Sequence, residues 1–271
     1  MVKKEEKSES AAVGNANIRI SVVMPTYNGE VYLRRQLDSI LGQLTDKDEL
    51  VISDDGSTDG TLALLQEYRE SDSRICLLKG PEQGIKKNVE HLLKSARGRY
   101  IFLADQDDIW VDGKVKKVLR AFERQKAAVV IHDARVFAGE NETGIQMESF
   151  FAFRNAGAGV VKNIIKNSYI GCCMAFRREL LSAILPIPAQ IEMHDQWIGI
   201  LGDYYMGKSY FLPDALLLYR RHGANNSAME HYGLVRMARN RVVFLCFFLA
   251  RILQNRQKKE KNSVKFKKND S

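Results

Sequence analysis

The sequence predicts an α/β fold, a mostly parallel sheet flanked by helices. Two observations carry this. Short apolar runs alternate with stretches of helical periodicity from residue 18 to residue 136. That rhythm is the mark of βαβ units. Several of the runs also end abruptly in polar or acidic turns, and right-handed crossovers place those turns along one sheet edge.

The elements follow in order. Ile18 to Met24 reads as a strand closed by Pro25, and Glu30 to Leu44 as a helix with Val31, Leu33, Leu37, Ile40, Leu41 and Leu44 on its apolar face. Glu49 to Ser53 is the second strand, running into DDGSTDG, where Ser57 or Thr58 is placed to cap a helix over Asp59 to Glu70. Ile75 to Leu78 is the third strand, Lys86 to Ala96 a helix, and Tyr100 to Ala104 the fourth strand. Val111 to Gln125 is helical and Ala128 to Val136 is the fifth strand. Beyond Gly139 the rhythm weakens. Residues 140–170 read as irregular with one or two helices, Gly171 to Arg177 as a strand, and Glu179 to Leu185 as a short helix stopped by Pro186 and Pro188. A helix runs from the loop Met193–Gln196 to about Tyr205, strands cover Ser209–Leu212 and Ala215–Tyr219, and His231 to Gln254 is helical before a basic end.

Chemistry concentrates at three strand ends. Asp105, Asp107 and Asp108 put three negative charges within four residues. Their repulsion grows where water is scarce. A hard divalent cation with oxygen ligands compensates such a cluster, Mg²⁺ or Mn²⁺ with one or two carboxylates and substrate phosphates. A solvated acidic loop is the alternative, but the carboxyl ends of strands are where open α/β sheets bind ligands. Pro25 to Glu30 leads into a helix whose free N–H groups suit an anion. Asp54 and Asp55 are placed to accept hydrogen bonds from a base or ribose, and capping plus a Gly turn does not explain two adjacent aspartates. Neither GxxxxGK[ST] nor GxGxxG occurs, so the usual phosphate cradles are excluded.

The runs SVVMPTYNGEVYLRRQLDSIL, VISDDGSTDGT and YIFLADQDDIW, in that order, strongly resemble the family 2 glycosyltransferases, which have the GT-A fold. The resemblance covers roughly Ile18 to Ser227. Within the family it looks most like bacterial rhamnosyltransferase-like enzymes of surface-polysaccharide assembly, whose later motifs appear here as EMHDQW and YRRHGANNS. Gln196 and Ala224 are where the chain departs from that pattern. The resemblance implies that Pro25, Thr26, Tyr27 and Glu30 line the nucleotide pocket, that Asp54 and Asp55 contact base and ribose, and that Lys86 or Lys87 approaches the same pocket or lies on a solvated helix face. It further implies Asp105 and Asp107 as the two ends of the DxD metal motif, Asp195 as catalytic base, and His222 as a metal or diphosphate contact with Arg220 or Arg221 beside it. The implied reaction is inverting and metal-dependent. It moves a sugar from a nucleotide-sugar donor, dTDP-rhamnose or a UDP-hexose, to a hydroxyl of a glycan or lipid-linked glycan. For Asp195 an N-cap is the competing role. His132 and His194 are read as structural or supporting.

The net charge of +8 is uneven. Residues 251–271 hold eight Lys/Arg against Glu260 and Asp270, which gives +6 and leaves the body nearly balanced. That excludes a nucleic-acid-binding body. Residues 1–17 are polar, read as a disordered leader without an apolar signal region. The four cysteines form no CxxC or zinc pattern, which suits a reducing compartment. The apolar run Val242 to Leu253 is far shorter than the roughly 20 residues a spanning helix needs. Either it lies in a membrane interface, aided by the basic tail, or it packs on the core or a second subunit. The expectation is thus a cytoplasmic enzyme at the inner face of the membrane. Its parts would be 18–136 for the donor, 137–230 for acceptor and catalysis, and 231–271 as a helical tail. Two other functions fit less of the chain: a phosphatase of the haloacid dehalogenase kind, whose motif normally opens its domain, and a non-catalytic membrane-peripheral scaffold.

Overall fold

A computed structural model describes residues 18–139, 144–207, 209–222 and 233–269 of the chain. The leader 1–17 and the residues Gly223 to Ser227 of YRRHGANNS lie outside them. The first half alternates as the periodicity requires: β1 (Ile20–Thr26), α1 (Glu30–Leu41), β2 (Asp48–Asp54), α2 (Thr61–Ser71), β3 (Ile75–Lys79), α3 (Ile85–Ser95) and β4 (Tyr100–Leu103). A two-residue strand β5 (Ile109–Trp110), α4 (Lys114–Gln125) and β6 (Val129–Ala138) follow. β1 and β2 are buried at every position, and the acids that open β2 are paired, Asp48 with Arg19 and Glu49 with Arg97.

The second half supplies β7 (Ile145–Met147), α5 (Phe150–Arg154), α6 (Val160–Ile165), β8 (Met174–Arg177), α7 (Leu181–Ile184), α8 (His194–Met206), β9 (Tyr210–Arg221) and α9 (Leu234–Asn269). Among the described residues all strands join one sheet in the order β3-β2-β1-β4-β8-β6-β9-β5, with β7 on β6. The first four strands are parallel. β8 then enters antiparallel between β4 and β6, and β9 runs parallel to β6. The sheet is therefore mixed, since the strand that completes its centre comes from residues 174–177.

Several boundaries differ from the expectation for local reasons. α1 stops at Leu41 because Gly42 follows. α2 begins at Thr61, and neither Ser57 nor Thr58 caps it: the Ser57 hydroxyl donates to Asp54 Oδ2 at 2.6 Å. α4 starts only at Lys114, because Ile109 and Trp110 pair with β9 and Gly113 adopts a left-handed conformation (φ 79°). The two expected strands near residues 209–219 are one, β9, which bulges at Pro213 and Asp214 where the register with β6 shifts. Proline has no N–H to give the ladder.

The tail of the fold is α9. Its Phe244, Phe248 and Ile252 are buried, with Phe244 edge-on to Trp197 at 5.7 Å and Phe248 against Tyr204. Arg251 is buried too, donating to the carbonyls of Ala183 and Pro186 at 2.8 and 2.6 Å. No helix among the described residues is long and apolar enough to cross a membrane.

Candidate active site

The three acidic or polar turns do meet at one sheet edge, and side-chain hydrogen bonds weld them together. Asn28, whose backbone is left-handed (φ 47°), receives the Thr58 N–H on Oδ1 at 2.9 Å, while its own N–H donates to Ser57 Oγ at 2.9 Å. Gln106 reaches back to β1: its Oε1 accepts from Tyr27 N–H and its Nε2 donates to Tyr27 O, both at 2.9 Å. Gly29 permits this, because a Cβ there would collide with the Gln106 amide. Gln36, buried in α1, donates to Asp105 O at 2.6 Å. The loop carrying the acids is thus held at its backbone.

Asp107 faces His222, whose Nε2 lies 2.8 Å from Asp107 Oδ2, and the imidazole stacks on Tyr32 at 4.9 Å. Behind them sits Arg220, 1% exposed. Its backbone N–H donates to Asp108 Oδ1 at 3.0 Å, its Nε to Asp107 O at 2.9 Å and its Nη1 to Gly139 O at 2.5 Å. Its guanidinium lies 4.4 and 4.7 Å from the rings of Phe137 and Tyr32. Arg220 was expected beside a diphosphate. It is instead the buried clamp of the acidic loop. Arg221 ends β9 opposite Ala138.

Deeper in, Asp105, Asp108 and the Cys172 thiol bring one ligand-capable atom each within 4.8 Å of one another. Burial, and then the charges of Asp107 and Asp195, push the Asp105 carboxyl up to about 7. As a residue Asp105 keeps a partly open side, whereas Asp108 is sealed, and its Oδ2 has no hydrogen-bond partner. Burial, then the neighbouring Asp107 and Asp105, hold Asp108 well above the usual carboxylate range. Contact with Cys173 and burial raise the Cys172 thiol, so it stays protonated. One internal cation answers part of this charge. Lys114 is 1% exposed, donates to Cys172 O at 3.1 Å and sits 4.0 Å over the Trp110 ring. Burial lowers it to about 8.

This chemistry fits a hard divalent cation. Buried, mutually repelling carboxylates with an unpartnered oxygen are a site short of positive charge. Asp105, Asp107 and His222 were the expected ligands. The structure joins Asp107 to His222 and places Asp105 with Asp108 and Cys172.

Asp195 lies in the first turn of α8 behind the cap residue Met193, so it is not an N-cap. It is 4% exposed, and its Oδ1 accepts from Gln196 N–H at 2.6 Å. Burial raises it to about 6, offset by the N–H groups of Gln196 and Gly171. A carboxylate with that poise is ionised at neutral pH yet basic enough to take a proton. A Cβ at Gly171, next to Cys172 of the acidic cluster, would meet the Asp195 Cβ at 3.8 Å, which sets Asp195 beside that cluster. His194 is held neutral, down to about 4, by burial and Lys86. His132 lies well below its usual range for want of water, its Nδ1 2.8 Å from Asp133 O.

The other expected donor contacts divide. Tyr27 is 57% exposed and Glu30 is exposed, its Oε2 accepting Gly60 N–H at 2.8 Å. Pro25 and Thr26 are buried within β1. Asp54, 3% exposed, is spent inside the turn: it accepts from Thr26 Oγ1 at 2.9 Å, Ser57 N–H at 2.8 Å and Gly56 N–H at 3.2 Å. Both of its oxygens accept hydrogen bonds from within the turn. Asp55 is half-buried and accepts from Glu82 and Gly84 N–H at 2.7 and 2.8 Å. Lys86 Nζ donates to Ala189 O and Ile191 O at 2.6 and 2.7 Å, tying α3 to the loop that leads to Asp195. Lys114, Cys172 and Gln106 escaped the sequence reading. Only Gln106, inside DQD, lay in a stretch already singled out.

Fold and acidic edge together define a transferase-like α/β domain. The sequence profile of Glycosyl transferase family 2 matches residues 21–185, and the chain belongs to that family. A Bacillus subtilis protein named for teichuronic acid biosynthesis, TuaG, is 30% identical over 211 residues, 77% of this chain and 80% of that one. An uncharacterised glycosyltransferase of Nostoc is 27% identical over 216 residues, 77% of this chain. The chain spans 66% of the Nostoc protein and 59% of a Mycobacterium bovis relative. Among solved structures, S. aureus TarS 1–349 with UDP-GlcNAc superposes with a TM-score of 0.62 at 21% identity, over 86% of this chain and 72% of that one. The mannosyltransferase PcManGT of Pyrobaculum calidifontis, with GDP-Man and Mn²⁺, gives 0.55 at 20% identity, over 87% and 64%. These likenesses establish the GT-A-like fold. The profile opens in β1, with three βα units ahead of the DQD turn, and leaves the phosphatase alternative without support.

Proposed function

We propose that the protein is an inverting glycosyltransferase of cell-surface polysaccharide synthesis. It transfers a sugar from a nucleotide diphosphate, dTDP-rhamnose or a UDP-hexose, to a hydroxyl of a glycan or lipid-linked glycan at the inner face of the membrane. The observation that carries this is the convergence at one sheet edge of Asp105, Asp107 and Asp108, His222 from the end of β9, and the buried Asp195 from α8. The name of TuaG points toward envelope polymers.

Asp195 accepts the proton of the acceptor hydroxyl as its oxygen attacks the anomeric carbon from the side opposite the leaving diphosphate. One carboxylate suffices for inversion, by analogy with inverting glycosidases. Tyr27, Glu30 and Asp55 edge the donor pocket whose floor is set by Asp54. Asp107 and His222, with Asp105 behind them, would hold a Mg²⁺ or Mn²⁺ ion. Such an ion supplies Lewis-acid neutralisation of the charge that builds on the diphosphate.

The test is a calorimetric and thermal-shift screen of the full chain against UDP- and dTDP-sugars with and without Mn²⁺. Binding of a nucleotide diphosphate sugar that vanishes with EDTA is expected. Binding unaffected by EDTA removes the metal role. No binding of any nucleotide sugar, with or without Mn²⁺, sinks the transferase reading and favours a scaffold.

A further inference from the structure

α9 carries two apolar faces and the core uses only one. Phe244, Phe248 and Ile252 point inward. On the opposite side Val242, Leu245, Leu249 and Leu253, at helical spacing, stand 61%, 42%, 52% and 59% exposed. They form a stripe about 16 Å long at the rise of an α-helix. α6 extends it laterally. Arg241 of α9 grips Ile165 O at 2.5 Å and so fixes α6 alongside, and Val161 and Ile165, one turn apart, are 70% and 58% exposed. Lys162 and Lys166 are exposed beside them.

The charge around this apolar face is mostly positive, Glu192 against Arg236 and Asn240 being an acid that touches α9. From Leu234 to Lys259 the sequence holds seven Lys/Arg and no acidic residue, and α6 has none either. A second copy seated on the face would bring like charges together. An anionic bilayer would accept the leucines and satisfy the cations at once. We infer that the outer faces of α6 and α9 together form a docking surface for an anionic lipid bilayer, with α9 lying in the plane of the headgroups. The anchor is this two-helix face, and the basic end of α9 adds attraction to it.

The orientation bears on the site. α6 is bonded to α8 through Gln196 Nε2, which donates to Asn163 O at 2.7 Å, one residue from Asp195. A bilayer on α6 and α9 therefore lies one helix away from the carboxylate proposed as base. That position suits an acceptor delivered on a lipid.

The experiment is co-sedimentation of the full chain with phosphatidylglycerol–phosphatidylcholine vesicles and with pure phosphatidylcholine vesicles, no nucleotide sugar being present. The readout is thus independent of the transferase reading. Binding to the anionic vesicles is expected. Leu249→Glu and Leu253→Glu each reduce partitioning by roughly tenfold or more, and the Lys162→Glu, Lys166→Glu pair reduces it by on the order of tenfold in total. All these positions are exposed, so unchanged circular-dichroism melting is expected to accompany the loss. Deleting residues 255–271 weakens binding without abolishing it. The inference is overturned if the parent chain ignores anionic vesicles, if the leucine variants bind as the parent does, or if light scattering shows a dimer that Leu249→Glu converts to a monomer while vesicle binding persists.

Discussion

Replacing the proposed base should make the protein more stable and less active at the same time. Asp195 is buried, with its carboxyl raised from 3.8 to about 6. The folded state therefore binds that proton more tightly than the unfolded chain, and ionising the group works against folding. The penalty is complete above about pH 6 and disappears as pH falls below about 4, where both states are protonated. Two pKa units correspond to about 3 kcal/mol. Asp195→Asn removes that charge and keeps an oxygen to accept the N–H groups of Gln196 and Gly171. Burying the new amide N–H₂ returns about 1 kcal/mol. The net gain of about 2 kcal/mol is worth roughly 4–8 °C in Tm. Thermal unfolding followed by circular dichroism in EDTA, at about pH 8 and about pH 4.5, reads it directly. The variant should melt higher at the alkaline pH and nearly with the parent at the acidic one. Donor binding should survive, and transfer should fall by orders of magnitude, on the order of 10²–10⁴. In the parent, transfer should decline as pH drops through about 6. A variant that melts lower at alkaline pH, a gain equal at both pH values, or transfer within tenfold of the parent would each refute the reasoning.

Other outcomes follow from the same geometry. Asp107→Ala and His222→Ala should each weaken metal-dependent donor binding in calorimetry; an unchanged response to Mn²⁺ would move the ligands elsewhere. Arg220→Met removes the two side-chain hydrogen bonds beneath the acidic loop, to Asp107 O and Gly139 O, and keeps the backbone bond to Asp108; the loss should cost roughly 3 kcal/mol, and a melting temperature equal to the parent's would contradict the clamp role. Lys86→Met should lower stability by roughly 1–2 kcal/mol while leaving donor affinity intact. A selective loss of donor affinity would return Lys86 to the nucleotide pocket.

The sequence by itself determined the alternating first half and the three strand-end turns. Those features are local. Apolar runs of four to seven residues cannot stay in water, and Gly29, Gly56 and Gly80 lie just beyond the ends of β1, β2 and β3, although β1 runs on through Pro25, where the sequence suggested it would close. Asp105 and Asp107 were legible because carboxylates stand out at the end of such a run, whereas Asp195 was legible only through the family resemblance of EMHDQW. The tertiary structure alone decided who meets whom. β8 slips between β4 and β6, which delivers Cys172 against Asp105 and Asp108 although no spacing announces it. Arg220 looked like an anion contact and Asp54 like a ribose contact, yet both are consumed inside the protein. Lys114 reads in the sequence as one more helix-surface lysine and is sealed under the acidic cluster. The reason is common to all of them. A charged side chain shows its chemistry in the sequence, but whether water, ligand or protein answers that charge depends on residues that only folding brings near.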